Sequence, residues 1–195
     1  LENCKYELVA LMDADDISVY DRFEKQLDMF QRHENVSVVG GNIVEFIGDE
    51  TNIAGYRKVP QKEEEIANYI KKRCPLNQMT VMMKKTDVQK AGGYLDWYCN
   101  EDYYLWIRMH LHNMRFVNLD EVLVKVRVGE EMYKRRGGFP YFKSEWKLQN
   151  YMLKYHVINV PIYIENVLKR VVVQLLLPNK VRGWVFKKFA RQSME

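Results

Sequence analysis

Tyr6-Glu7-Leu8-Val9-Ala10-Leu11-Met12 runs for seven mostly apolar residues and stops on the acidic turn Asp13-Ala14-Asp15-Asp16. A continuous apolar run of that length predicts a buried strand, of the kind parallel sheets use. The carboxylates then fall at its C-terminal end, where open α/β sheets bind ligands. Three carboxylates in four positions repel one another. Beside a cleft they need a cation, and oxygen ligands of this kind suit Mg²⁺ or Mn²⁺, which also hold substrate phosphates. On a solvated turn the same residues would only cap a helix.

Further along, Ser18 with Asp21 three residues on is a helix-start signature. Tyr20, Phe23, Leu27 and Phe30 recur at helical spacing, which predicts one face of a helix over residues 19–33. Residues 36–47 read as a strand with Gly40-Gly41 as a bulge, and residues 51–59 as a second strand. A charged surface helix follows over 62–73, then a short strand over 79–83. A short helix over 85–91 is ended by Gly92-Gly93. Residues 101–112 predict a helix, with Tyr104, Ile107, Arg108 and Leu111 along one face. Residues 121–128 alternate apolar and charged side chains, as a half-exposed strand does. A basic, glycine-containing loop covers 129–138 and a helix 141–156.

Composition narrows the class. The 195 residues are 47% hydrophobic and 29% charged, which excludes disordered and collagen-like chains. Cys4, Cys74 and Cys99 are odd in number and lack metal-ligand spacing, so a reducing cytosol is expected rather than a disulfide framework. No signal peptide is read. No apolar stretch reaches the roughly 18 residues of a spanning helix. Residues 1–60 hold 6 basic and 12 acidic side chains, the rest 24 and 14, so an acidic front precedes a basic rear. Basic residues without interleaved stacking aromatics argue against a nucleic-acid module, despite a pI near 8.8.

A second constellation is Gly92-Gly93-Tyr94 followed by Asn100-Glu101-Asp102-Tyr103-Tyr104-Leu105-Trp106. A Glu-Asp pair at a helix N-terminus is favoured by the helix dipole. It either caps the helix or presents an ionised carboxylate to a cleft as a general base. Trp106, four residues after Asp102, shares its face and is positioned either to stack on a sugar or to pack. His110 and His112 point to different faces of their helix, which argues against a shared metal.

In this order and spacing, the two acidic motifs resemble those of the family 2 glycosyltransferases, inverting enzymes of GT-A fold. The matching pieces are YELVALMDADDISVYDRFEKQLDMF, PLNQMTVMMKK, AGGYLDWYCNEDYYLWIRM and NLDEVLVKVRVGEEMYKRRGG, within residues 6–138. The resemblance implies an α/β chain of partial GT-A fold, a mixed sheet flanked by helices. Residues 1–138 would form its metal- and acceptor-binding part. Residues 139–195 would form a helical, basic C-terminal extension, like that of members that build bacterial cell-surface polysaccharides.

The same resemblance implies site roles. Asp13 and Asp15 would serve the donor diphosphate, and Asp15 and Asp16 a Mn²⁺ or Mg²⁺ ion. Asp102 would be the base that deprotonates the acceptor hydroxyl in a single inverting displacement, with Glu101 orienting the acceptor. Trp106 and Tyr94 would contact the acceptor, and Arg135 and Arg136 the diphosphate. Family members often carry His where Gln78 stands, and Pro where Tyr20 stands. The implied partners are a nucleotide-sugar donor, a UDP-sugar by preference, and a glycan or lipid-linked acceptor.

The family also begins with a strand and nucleotide-binding loop ahead of the acidic strand. The chain therefore reads as the second part of a longer enzyme, with an exposed sheet edge that a homo-oligomer could cover. The tail over 161–191 carries seven basic residues against Glu165, with Trp184, Phe186 and Phe189 among its apolar ones, and Pro178 splits it into two helical pieces. It predicts contact with an anionic membrane, peripheral on the inner face. The rival reading is an inactive glycosyltransferase-like fragment that serves as a binding module or membrane adaptor.

Overall fold

The computed structural model describes residues 1–129 and 137–178. Its centre is strand β3 (Val36–Phe46), in which all eleven residues are buried. A strand so rich in Val and Ile and covered on both faces sets the sheet around it. Strand β6 (Arg115–Arg127) lies parallel along the whole of one edge of β3. On the other edge, β5 (Met82–Lys84) pairs with Val38 and Val39, and β4 (Ile53–Arg57) with Ile43 to Phe46, both antiparallel. Strand β1 (Leu8–Ala10) adds antiparallel to β5, and the two-residue β2 (Ile17–Ser18) to β6. The six-stranded sheet runs β1-β5-β3-β6-β2, with β4 beside β3.

Gly40 and Gly41 mark a close approach. A Cβ at Gly40 would stand 2.5 Å from Asn118 Oδ1, and one at Gly41 2.6 Å from Leu123 Cδ1. The β3–β6 register shifts at this point, from Gly41 opposite Leu119 to Asn42 opposite Val122. Asn118 uses the freed space to donate to Pro60 O and Pro75 O, which pins two loops over the sheet.

Helices α2 (Glu63–Tyr69), α4 (Glu101–Leu111) and α5 (Phe139–Lys154) cover one face. Their Ile66, Leu105, Trp106, Leu148 and Met152 share one core with Val38 and Met83. Val39 and Met82, the alternate residues, face the opposite side and pack with Phe30 of α1 (Arg22–Arg32). The short α3 (Lys85–Lys90) follows β5, and α6 (Val160–Arg170) continues as a π-helical turn over Val171–Leu176. Pro161 occupies the first turn of α6, and the Asn159 side chain caps it by accepting from Ile162 N. No described helix is long and apolar enough to cross a membrane.

Several expectations are corrected. The Tyr6–Met12 run yields only the three-residue β1, half-buried, and its one partner among the described residues is antiparallel. Ser18 belongs to β2, and Asp21 is the N-cap position of α1. The strand expected over 79–83 splits into a 3₁₀ turn (Gln78–Thr80) and β5. Strand β6 begins at Arg115, six residues before the expected start.

The buried face of α1 is also rotated from the expected one, sharing only Phe30 with it. Tyr20, Phe23 and Leu27 are exposed, and the buried row is Arg22, Gln26 and Phe30. Arg22 donates to Gln26 Oε1 (3.0 Å) and Leu11 O (2.8 Å). Gln26 Nε2 donates to Val39 O (2.7 Å) and Thr80 O (2.8 Å). Backbone carbonyls that would otherwise be orphaned select these polar side chains for the interior.

Candidate active site

Strands β1, β3 and β6 are mutually parallel, so their C-terminal ends meet at one edge of the sheet. There, Leu11 N donates to Val81 O (2.8 Å), which sets the acidic turn beside the Gln78–Thr80 turn. Gln78 and Met79 in turn line a cleft of about 440 Å³ that also holds Asp102, at the N-terminus of α4. The Gln78–Val81 segment thus bonds to the strand that leads into the acidic turn and lines the cleft that holds Asp102.

In the acidic turn, Asp16 N donates to Asp13 O (3.3 Å), and the Asp13 and Asp15 side chains are exposed. Asp16 is half-buried. Its Oδ1 accepts from Arg127 N (2.9 Å), while its Oδ2 is buried with no hydrogen-bond partner among the described residues. Arg127 clasps the turn, donating to Asp15 O (3.3 Å) and Gly48 O (2.5 Å). Burial, then repulsion from Asp13 and Asp15, pushes the Asp16 carboxyl up to about 6 against the opposing Arg127 N–H. The donor chemistry of this turn suits a hard divalent cation, but its three carboxylates do not converge on one point: among the described residues no group of three or more His, Cys, Asp or Glu side chains is arranged to hold a metal ion.

Asp102 is held on two sides. Its Oδ1 accepts from Tyr103 N (2.6 Å), and the Cys74 thiol donates to its Oδ2 (3.9 Å). The start of α4 is anchored through Asn100 Nδ2 to Ser144 Oγ (3.2 Å), and Ser144 itself donates to Tyr98 O (2.6 Å). The cleft walls come from the segment after α2, from α4, α5 and α6, and from Arg57 of β4. Glu101 opens instead onto a shallow depression shared with Tyr94 and Trp97. Tyr94 presents a buried hydroxyl beside Gln78, and burial raises its phenol well above the usual range. Arg108 donates to Ala91 O and Gly93 O, which fixes the Gly92-Gly93 turn at positive φ and with it Tyr94.

Trp106 is a correction. It is 0% exposed, with its ring edge-to-face on Phe116 at 6.2 Å between centroids, and cannot stack on a sugar. One turn into α4 from Asp102, the shared face has already entered the core. Arg135 and Arg136 lie outside the described residues. The sequence reading missed Arg22 and Gln26, which brace the sheet edge behind the acidic turn, and Cys74. The signal for the first two was present, because with Phe30 they form an i, i+4, i+8 row.

Comparison with known proteins adds a lineage to this geometry. The sequence model described as Glycosyl transferase family 2 matches residues 1–88. A UDP-Gal:alpha-D-GlcNAc-diphosphoundecaprenol beta-1,3-galactosyltransferase of Escherichia coli is 34% identical over 194 residues, all of this chain and 70% of that protein. The chain belongs to glycosyltransferase family 2. An uncharacterized glycosyltransferase of Haemophilus influenzae is 43% identical, across 80% of this chain and 57% of its own length. The amylovoran biosynthesis glycosyltransferase AmsE of Erwinia amylovora is 38% identical, across 79% and 56%. This family 2 chain therefore spans between about half and about two-thirds of the length of these relatives. In fold it is similar to S. aureus TarS, with a TM-score of 0.52 at 13% identity, covering 95% of this chain and 34% of TarS. The mixed sheet flanked by helices is the GT-A architecture.

Proposed function

We propose that this chain carries the metal- and acceptor-binding part of an inverting glycosyltransferase. The enzyme moves a sugar from a nucleotide-diphosphate donor, a UDP-sugar, to a lipid-diphosphate-linked glycan in bacterial surface-polysaccharide synthesis. The observation that carries the reading is the Gln78–Val81 segment, which bonds through Val81 O to Leu11 at the end of the strand leading into the acidic turn and lines the Asp102 cleft. Asp13, Asp15 and Asp16 would hold Mn²⁺ or Mg²⁺, which when bound neutralises charge on the leaving diphosphate. Asp102 takes the proton of the acceptor hydroxyl as that oxygen attacks the anomeric carbon. The C–O bond to the diphosphate breaks on the opposite side, with inversion. Tyr103 N–H and the Cys74 thiol fix the carboxylate for this role. The tail cations would seat the enzyme on the inner face of the membrane, where a lipid-linked acceptor resides.

The test is Asp102→Asn in the intact enzyme. General-base catalysis contributes about 10²–10⁴-fold, so transfer should fall at least 100-fold while Mn²⁺-dependent UDP affinity stays within about twofold. Near-normal turnover removes Asp102 from the role. Coincident loss of UDP binding makes it a donor-site residue instead.

A further inference from the structure

The cleft beside Asp102 has a charged wall that the transfer step does not use. Lys72 and Arg73, just after α2, line it together with Lys169 of α6. Among the described residues Glu165 pairs with two of these three cations, Lys72 at 3.4 Å and Lys169 at 2.5 Å. Arg73 is exposed, with its guanidinium 5.8 Å from the Tyr69 ring centroid. Deeper in the cleft, Arg170 and Glu145 pair with one another. The outer wall therefore keeps an excess of positive charge. Along α6, Ile164, Leu168 and Val172 are all exposed at a spacing of four residues, and Leu175 and Leu176 extend them. That spacing aligns them on one side of the helix, adjacent to the row that holds Glu165 and Lys169.

We infer that this wall binds the diphosphate of a polyprenyl-diphosphate-linked acceptor. Lys72, Arg73 and Lys169 take the phosphate oxygens, and the Ile164–Leu168–Val172 row carries the first prenyl units. The inference rests on the acceptor reading above and adds the subsite that orients this substrate. With the diphosphate on this wall, the sugar extends inward to Asp102. Guanidinium and ammonium groups bind phosphate directly, and an isoprenoid covers an apolar row that otherwise meets water. The two diphosphates of the reaction are thus told apart by chemistry: the donor's through carboxylates and a metal, the acceptor's through cations without one.

The experiment titrates the full chain in EDTA with geranyl diphosphate, geranyl monophosphate and geraniol. Geranyl diphosphate should bind at least tenfold tighter than geraniol. The double variant Arg73→Ala/Lys169→Ala, with unchanged melting temperature, should weaken it at least tenfold. Equal affinity for all three probes, no binding of the diphosphate, or an unaffected variant overturns the inference. In transfer assays, the enzyme's preference for a GlcNAc-diphosphate-lipid over a simple GlcNAc glycoside should fall at least tenfold in the variant. An unchanged preference overturns the inference as well. If the titration behaves as expected while the wild-type enzyme transfers sugar to neither acceptor, the transferase reading fails and the diphosphate wall stands.

Discussion

Asp16→Asn in metal-free protein isolates the electrostatics of the acidic turn. Asparagine keeps an oxygen to accept from Arg127 N and removes the charge that burial, Asp13 and Asp15 disfavour. Below about pH 4 the Asp16 carboxyl is protonated in both folded and unfolded chains, and the substitution changes little. Between there and about pH 6, the unfolded chain releases the proton and the folded chain keeps it. Wild-type stability therefore declines through that window relative to the variant, and the difference levels off above it. A rise of about two pH units from the unperturbed value corresponds to about 3 kcal/mol before screening. For a side chain only half-buried, solvent reduces this to roughly 1–2 kcal/mol. In EDTA at pH 7.5 the variant should therefore melt about 3–6 °C higher. Near pH 4 the two proteins should coincide. Thermal or urea unfolding across pH 4–8 reads the difference. A variant less stable at pH 7.5, or one offset equally at every pH, refutes the account of the turn. Adding Mn²⁺ at pH 7.5 should reverse the order, since only the wild type offers the full carboxylate set.

Two other substitutions probe what holds the site. Trp106→Ala should cost about 3–5 kcal/mol in urea unfolding, as large core deletions do; wild-type stability would return the ring to the surface and to sugar contact. Gln26→Ala strips the partner from Val39 O, Thr80 O and the Arg22 guanidinium at once. Two or more buried groups left unsatisfied should cost about 2–4 kcal/mol, and a loss under about 1 kcal/mol would show that water replaces the side chain.

Helix α1 shows how far sequence pattern reaches. The spacing of Tyr20, Phe23, Leu27 and Phe30 locates the helix but selects the wrong face. Apolar periodicity scores transfer from water and is blind to carbonyls that await a donor. Leu11 O, Val39 O and Thr80 O come from three separate segments, and only the folded sheet assembles them into a demand that Arg22 and Gln26 meet. Trp106 fails for a related reason. Spacing places it on the face of Asp102, but about 6 Å further along the axis, a distance that carries it from the cleft into the core. The Asp13–Asp16 and Asp102 motifs stand out in the sequence because ionisable side chains clustered at element ends leave a local mark, and the structure places both at such ends.

What no local mark records is that these two motifs belong together. The placing of the first of them depends on the parallel pairing of β3 with β6, which carries Arg127 to Asp16. The first residues of β6, Arg115 to Asp120, alternate in burial but not in polarity, because the buried positions are Phe116, which joins the core under α4, and Asn118, which donates to Pro60 O and Pro75 O. Gly40 and Gly41 admit the Asn118 and Leu123 side chains at distances a Cβ would forbid. The register then steps, and β6 continues to Arg127, which ties Asp16 to the end of the strand. A larger side chain at Gly41 would force Leu123 outward and, through the same strand, shift the Arg127 clasp on the acidic turn. The geometry of the candidate metal site is in this sense set some distance from its carboxylates, at two glycines whose sequence context suggests only a bulge.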